Sequence, residues 1–334
     1  MSRIKYREAL RQALAEEMER DPMVFCIGEG IGERGGSFKV TDGLWKQFGP
    51  GRVIDTPLSE AGFTGLGIGA AIVGARPVVE ILFVDFALLT MDQIGNQAAK
   101  YRFMSGGEGR VPVVIRAQGG VGDGLAGQHS QSLEGLFYQI PGLKLVMPAT
   151  PYDAKGLLKS SIRDEDPVVF LEHKMLYQTE GEVPDEEYLV PLGVADIKRP
   201  GTDATIVTYS YMTLRSLQAA EQLAERGISV EVIDLRTLVP LDIATVLESV
   251  RRTHRLVVVQ EAVKRGGIGG DVAATVAEQA FDSLAAPIVR IAGKNTTIPF
   301  NTSLAAAAIP SVEDIVAGVQ SVVGDLEPAG RTRN

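Results

Sequence analysis

Glu60 is the first residue of this chain to raise a chemical question. It stands in "DTPLSEAGFTGLGIGAAIVGARP" (55–77), and the fifteen residues after it carry no charge. Gly62, Gly65, Gly67, Gly69 and Gly74 stud that apolar run. Histidine, the side chain that titrates near neutrality, occurs three times, as His129, His173 and His254. His254 lies in "RRTHRLVVV", at a helix end ahead of a strand, and reads as a surface residue. His173 closes the strand "VVFLEHK". Carboxyl ends of parallel strands are where ligands bind, so His173 is a candidate for a peripheral part in a site. His129 follows the glycine run "GGVGDGLAG" and sits in "GQHSQS". A glycine loop that carries an imidazole to a sheet edge suits proton transfer near neutral pH. A loop histidine satisfied by its own surroundings is the equal alternative.

Other chemistry is thin. No Ser-His-Asp spacing, zinc cluster or P-loop is present. "GGIGGD" (266–271) opens a helix after "LVVVQEA" and could cradle an anion, but it reads better as a tight packing turn. The single cysteine, Cys26, sits in "MVFCIG" and reads as a small core hydrophobe. One cysteine excludes an internal disulfide framework and fits a reducing compartment.

The elements that must position these residues follow from periodicity. Leu10, Leu14 and Met18 in "YREALRQALAEEMERD" are four apart and predict an amphipathic helix. "VFCIG" (24–28) and "VIDTP" (53–57) read as buried strands, and "ARPVVEILFVDF" as a helix end, a Pro-led turn and a strand. "MDQIGNQAAKYRFM" (91–104) is helical, and "VPVVIRAQGG" (111–120) is a strand running into the glycine loop 119–127. "LKLVMPAT" and "PVVFLEH" are strands flanking the helix "YDAKGLLKSSIRDED". Such alternation implies a parallel sheet covered on both faces. Residues 178–202 are acidic and loop-like, a crossover to a second α/β unit. That unit reads as strand "ATIVTYS", helix "MTLRSLQAAEQLAERG", strand "SVEVIDLRTLVP", helix "LDIATVLESVRRT" and strand "RLVVVQEA".

At 334 residues, 45% hydrophobic and 22% charged, the chain has the composition of two ordinary soluble domains. A net charge of -9 argues against nucleic acid as a partner. The five glycines of the 55–77 stretch argue against a membrane helix, and "MSRIKYREAL" shows no secretory leader.

Several long stretches together carry a resemblance. "DTPLSEAGFTGLGIGAA", "DQIGNQAAKYRFMSGG", "AGQHSQSLEG", "PGLKLVMPATPYDAKGLLKSSIRDEDPVVFLEHK" and "EVIDLRTLVPLD" stand in one order over roughly residues 4–325. They resemble the β subunit of the E1 component of 2-oxo acid dehydrogenase complexes. That family includes the pyruvate, branched-chain 2-oxo acid and acetoin dehydrogenases, which depend on thiamine diphosphate. The resemblance implies an α/β fold of two three-layer α/β/α domains. A pyrimidine-binding domain would span 1–185, a linker 186–202, a transketolase C-terminal-like domain 203–325, and a frayed tail 326–334. It also implies an E1 α subunit in an α2β2 heterotetramer, with an E2 lipoyl acyltransferase as acceptor. The α subunit would hold most of the Mg2+ and diphosphate site. This fits the chain itself. A diphosphate motif opening with GDG needs an Asn pair some thirty residues on, and after the "GDG" at 122–124 that distance lands in "MPATPYD".

Carried over by position, Glu60 matches the glutamate that hydrogen-bonds N1′ of the aminopyrimidine. A carboxylate sharing a proton there promotes the imino tautomer, whose nitrogen takes the proton from C2 of the thiazolium. Phe86 matches the aromatic that stacks on the aminopyrimidine, and Leu58 and Leu82 match contacts around the ring. His129 matches a loop histidine that assists acylation of the lipoyl group. Asp164 matches a residue of a monovalent-cation (K+) site found in some relatives. Small residues at Gly65 and Gly69 would let another backbone approach, at a subunit interface or in an internal helix contact. "FLEHKMLY" favours acetoin or pyruvate over branched-chain acids as substrate. The competing readings are the C-terminal half of a split transketolase and a non-catalytic subunit that only anchors E2. The compartment would be a bacterial cytoplasm or a mitochondrial matrix.

Overall fold

A computed structural model describes residues 1–324. The chain divides into two units. The first is Met1–Val194 with Arg236–Leu241 and Thr297–Ala305. The second is Ala195–Leu235, Asp242–Thr296 and the described residues from Ala306.

Runs of Val and Ile make the strands of the first unit. Its sheet has seven, in the order Thr237–Val239, Lys144–Val146, Val168–His173, Val114–Gly119, Arg76–Ile81, Val24–Gly28, Val53–Asp55. All pair in parallel except Thr237–Val239, an antiparallel edge. Every residue of Val114–Gly119 and Val168–His173 is buried, so both faces of the sheet are covered, as continuous apolar strands require. Helices Tyr6–Arg20 and Pro151–Arg163 pack on each other. Thr150 starts the second of these: its hydroxyl accepts from the Asp153 N–H, and Pro151 fills the first turn. Glu17, wholly buried on the first, pairs with Arg163 at 2.7 Å.

Helix Glu60–Ile72 lies on strand Arg76–Ile81, beside the segments Val84–Thr90 and Asp92–Ala98. Its glycines have different surroundings. Gly67 makes the close approach: a Cβ there would lie 2.6 Å from Val79 Cγ2. Gly65 faces the Gln93 side chain at an ordinary 3.7 Å, and Gly69 faces open space.

The second unit holds five strands in the order Val289–Gly293, Leu256–Val263, Ala204–Thr208, Val230–Asp234, Asp196–Arg199. They are parallel except the last, which pairs antiparallel. Helices Tyr211–Ala224 and Val312–Val323 pack together, as do Ile243–Thr253 and Ile268–Ala280. The glycines of "GGIGGD" form a packing turn. A Cβ on Gly267 would meet Gln260 Nε2 at 1.9 Å, and the Gly269 N–H donates to Gln260 Oε1 at 2.7 Å. His254 is an exposed left-handed helix cap, with Nδ1 2.9 Å from the Ser283 carbonyl oxygen.

Other departures from the sequence reading have local causes. Residues 178–202 are not all loop. Glu180–Val183 pairs antiparallel with Ser2–Lys5, and Asp196–Arg199 is the edge strand of the second unit. "SVEVIDLRTLVP" is two strands, broken where Arg236 takes a φ of 59°. By contact, 236–241 and 297–305 belong to the first unit. Residues 91–104 are helical, but Asp92–Ala98 winds as a π-helix before the α-helix Ala99–Met104. The tail 326–334 lies outside the described residues. Among the described residues, no helix is long and apolar enough to cross a membrane.

The two glycine environments give opposite expectations. Gly67→Ala must push against a stiff, buried β-branched side chain, so it should destabilise the isolated chain by about 1–3 kcal/mol. Gly69→Ala meets nothing and should stabilise it by about 0.5–1 kcal/mol through helix propensity. Thermal melts of the two variants check the signs.

Candidate active site

The candidate residues meet at one edge of the first sheet because parallel strands end on the same side. Glu29 follows strand Val24–Gly28, Glu60 follows Val53–Asp55, Leu82 and Phe86 follow Arg76–Ile81, and His129 follows Val114–Gly119.

Glu60 is the first residue of its helix, where the backbone dipole favours a negative charge. Facing it is a second carboxylate that the sequence reading missed. Glu29 feels the charge of Glu60, and the Ser59 backbone N–H bonds to it. Its Oε1 is buried with no hydrogen-bond partner among the described residues. Burial first, and then the Glu60 charge, push the Glu29 carboxyl up to about 7; the Ser59 bond opposes them in part. The edge therefore holds two facing acids, one of which exchanges a proton near neutral pH.

Phe86 and His129 are brought together. Their ring centroids lie 5.3 Å apart, edge to face at 82°. Phe83 meets the same imidazole at 5.0 Å and 80°. These are favourable aromatic geometries, and both phenyl rings are half-buried. Leu82 is half-buried at the start of this segment, whereas Leu58 is 82% exposed.

His173 supports the glycine loop. Its Nδ1 accepts from the Met175 N–H at 3.1 Å. Its ring lies under Gly120, where a Cβ would come within 2.0 Å of Nε2. Gly120 also has a φ of 82°, so glycine is required there twice over. Cys26 is buried in its strand, and burial pushes its thiol up to about 12, which leaves it inert.

Asp164 does other work. Its carboxylate takes Lys144 Nζ at 2.6 and 2.7 Å. Its carbonyl and that of Ile162 both accept from Arg76 Nη1 at 3.0 Å. Among the described residues, no group of three or more His, Cys, Asp or Glu side chains is placed to hold a metal ion.

Residues 2–180 match the family described as "Transketolase, pyrimidine binding domain", and residues 193–315 match "Transketolase, C-terminal domain". A "Pyruvate dehydrogenase E1 component subunit beta" of Gracilaria tenuistipitata var. liui is 46% identical over 97% of this chain and 100% of that one. The chain belongs to this β-subunit family. An "Acetoin:2,6-dichlorophenolindophenol oxidoreductase subunit beta" of Cupriavidus necator is 50% identical, over 94% of this chain and 96% of its own length. Among solved structures, a "Split gene transketolase, inactive beta4 tetramer" superposes with a TM-score of 0.79 at 25% identity, covering 96% of this chain and 98% of that one. The family's pyrimidine-binding domain spans the whole edge that carries Glu29, Glu60, Phe86 and His129.

The raised Glu29 has a sign that can be checked. Its folded pKa of about 7 exceeds the ordinary 4.5, so its favourable contribution is complete below about 4.5 and is lost as pH rises through 7. Glu29→Gln removes the titration. The melting-temperature gain of Glu29→Gln over wild type should therefore grow between pH 4.5 and 7 and level off above it; a gain independent of pH would refute the raised Glu29 pKa.

Proposed function

We propose that this chain is the β subunit of an E1 enzyme. With an α subunit it uses thiamine diphosphate to cleave or decarboxylate pyruvate, a related 2-oxo acid or acetoin, and passes the acyl group to the lipoyl group of an E2 acyltransferase. One observation carries the reading. A carboxylate at a helix N-terminus, an aromatic ring and an imidazole converge on one sheet edge, in a chain 46–50% identical to β subunits named for pyruvate and acetoin.

The residues present fit the aminopyrimidine end of that cofactor. Such a ring is flat and carries a nitrogen that shares a proton. Phe86 offers a half-buried ring face, and Glu60 offers a carboxylate. Glu29 offers a buried oxygen that no described residue satisfies. The diphosphate end has no motif here, which assigns it, with Mg2+, to the α subunit. When bound, thiamine diphosphate supplies the electron sink for breaking the bond next to the carbonyl. The rest belongs to the chain's own groups. Glu60 holds the proton at the ring nitrogen. Glu29, titrating near neutrality, keeps a proton beside Glu60. Phe86 fixes the plane of the ring. His129, against Phe86, gives a proton to the departing sulfur as the lipoyl disulfide opens, one sulfur taking the acyl group and the other becoming a thiol.

The likeness to a split-gene transketolase supports a second reading, ketol transfer between sugar phosphates. The lower identity, 25% against 46–50%, favours the E1 reading. The K+ expectation finds no support in the ion pairs around Asp164. An α2β2 assembly is part of this proposal, as is a reducing compartment for the single buried thiol.

The test is reconstitution with an α subunit and a lipoyl domain. Glu60→Ala should lower turnover by about a hundredfold or more, with the assembly and melting temperature retained. His129→Ala should lower acylation of the lipoyl domain more than it lowers reduction of an artificial dye acceptor. Near-normal turnover in Glu60→Ala, or transfer to sugar phosphates in place of lipoyl acylation, would overturn the reading.

A further inference from the structure

Two buried charged side chains hold residues 129–131, and the proposed chemistry uses neither. Lys174 directly follows strand Val168–His173 and is 4% exposed. Its ammonium donates to the His129 carbonyl oxygen and lies 3.4 Å from Ser130 Oγ. The same ammonium sits over the Phe83 ring, 5.3 Å from its centroid. Asp85 stands between Val84 and Phe86 and is 5% exposed. Its Oδ1 accepts from the Gln131 side-chain amide at 2.8 Å and from the Gln131 backbone N–H at 3.4 Å. Its Oδ2 is buried and has no hydrogen-bond partner among the described residues.

A buried carboxylate with one oxygen unsatisfied is a poor choice for packing alone. An apolar side chain of similar size would fill the space at lower cost. What the charge adds is direction. The glycine run 119–127 ahead of His129 has little stiffness of its own, and Gly120 and Gly124 sit at φ of 82° and 63°. The loop therefore relies on contacts from outside to fix its far end. Lys174 holds the main chain at His129, and Asp85 holds both the main chain and the side chain at Gln131. Asp85 is also covalently next to Phe86, so a single carboxylate couples the ring that faces His129 to the loop that carries it.

We propose that Asp85 and Lys174 are positioning residues. They set the His129 imidazole against Phe86, and through it they govern transfer of the acyl group to the lipoyl acceptor. This rests on the proposed role of His129 in acyl transfer. Displacement of a reacting group by about 1 Å can cost about a hundredfold in rate, so loss of either clamp is felt in the step that uses His129.

The test uses the assembled enzyme with its α subunit, read in two ways: dye reduction and acylation of a lipoyl domain. Asp85→Ala should lower acylation at least about tenfold more than it lowers dye reduction. Asp85→Asn keeps an oxygen for Gln131 and should recover most of the loss. Asp85→Ala added to His129→Ala should lower acylation no further than His129→Ala alone. Should Asp85→Ala not assemble, Gln131→Leu removes the same contact from the loop side, and Lys174→Met removes the other clamp; each should show the same split. Equal loss in both readouts, no rescue by Asn, or full additivity with His129→Ala overturns the proposal. Unimpaired acylation in His129→Ala is a different failure: it removes the role of His129 itself, and the clamp with it.

Discussion

Arg116 ties together the three strands that carry most of the site. Its guanidinium is 1% exposed. It donates twice to Glu172, at 2.6 and 2.9 Å, and once to Glu80, at 2.6 Å. The Tyr177 hydroxyl donates to Glu172 at 2.6 Å. Burial raises the Glu172 carboxyl against the pull of Arg116, and two acids share one cation. As stabilisation this is a weak design, since a buried ion pair often gains nothing over apolar packing. Its value lies in register. Runs of Val and Ile in neighbouring parallel strands resemble one another at every offset, whereas a forked contact spanning three strands is satisfied at one offset only. A slip of one residue is about 3.3 Å, and catalytic geometry tolerates about 1 Å. Leu82 follows the first of these strands, the His129 loop the second and Lys174 the third. The cluster therefore fixes strand ends, and the strand ends fix the site.

The carboxylate pair is a consequence of the same topology. Strands Val24–Gly28 and Val53–Asp55 are direct neighbours, with Gly28 opposite Asp55. The segments leaving their carboxyl ends must share space, and those segments carry Glu29 and Glu60. Gly28 permits the tight stacking beneath, since a Cβ there would lie 2.6 Å from the Glu80 carbonyl oxygen. The helix dipole contributes only about 0.3–1 kcal/mol toward a charge at the Glu60 position. It cannot offset the burial of Glu29 together with the Glu60 charge, and these, burial first, raise the Glu29 carboxyl.

Much of this was legible in the sequence, and the limits are physical. The buried strands, the helix after Glu60 and the strand-end setting of His129 follow from hydrophobic period and glycine placement. Strands Ser2–Lys5 and Glu180–Val183 do not, because their pairing is carried by backbone hydrogen bonds and each has only one apolar side chain, Ile4 and Val183. Glu29 reads as one acid in a glycine-rich turn; its partner is a neighbour only through sheet order. Asp85 and Lys174 read as stray charges beside apolar motifs, since what defines them is the main chain they grip. Gly67 and Gly69 are indistinguishable by type, and only the packing of Val79 shows which one must lack a side chain. Position alone does not show that the Asp164 carboxylate takes Lys144 and its carbonyl Arg76.

The edge is also unfinished. Leu66 is 56% exposed on the glycine helix, and Leu88 and Leu89 are 52% and 58% exposed on the segment packed beside it. Leu58, just before Glu60, is 82% exposed. Exposed leucines on adjoining segments beside the candidate site are consistent with a surface that another protein covers. Under the proposed reading the chain supplies groups for a ring and a proton, and an α subunit that brings the diphosphate site would also cover exposed leucines beside Glu60. The division of glycines fits this: Gly67 faces inward so that the helix can seat on its own sheet, while Gly69, facing outward into open space, leaves the opposite face low enough for a second chain to close over Glu60.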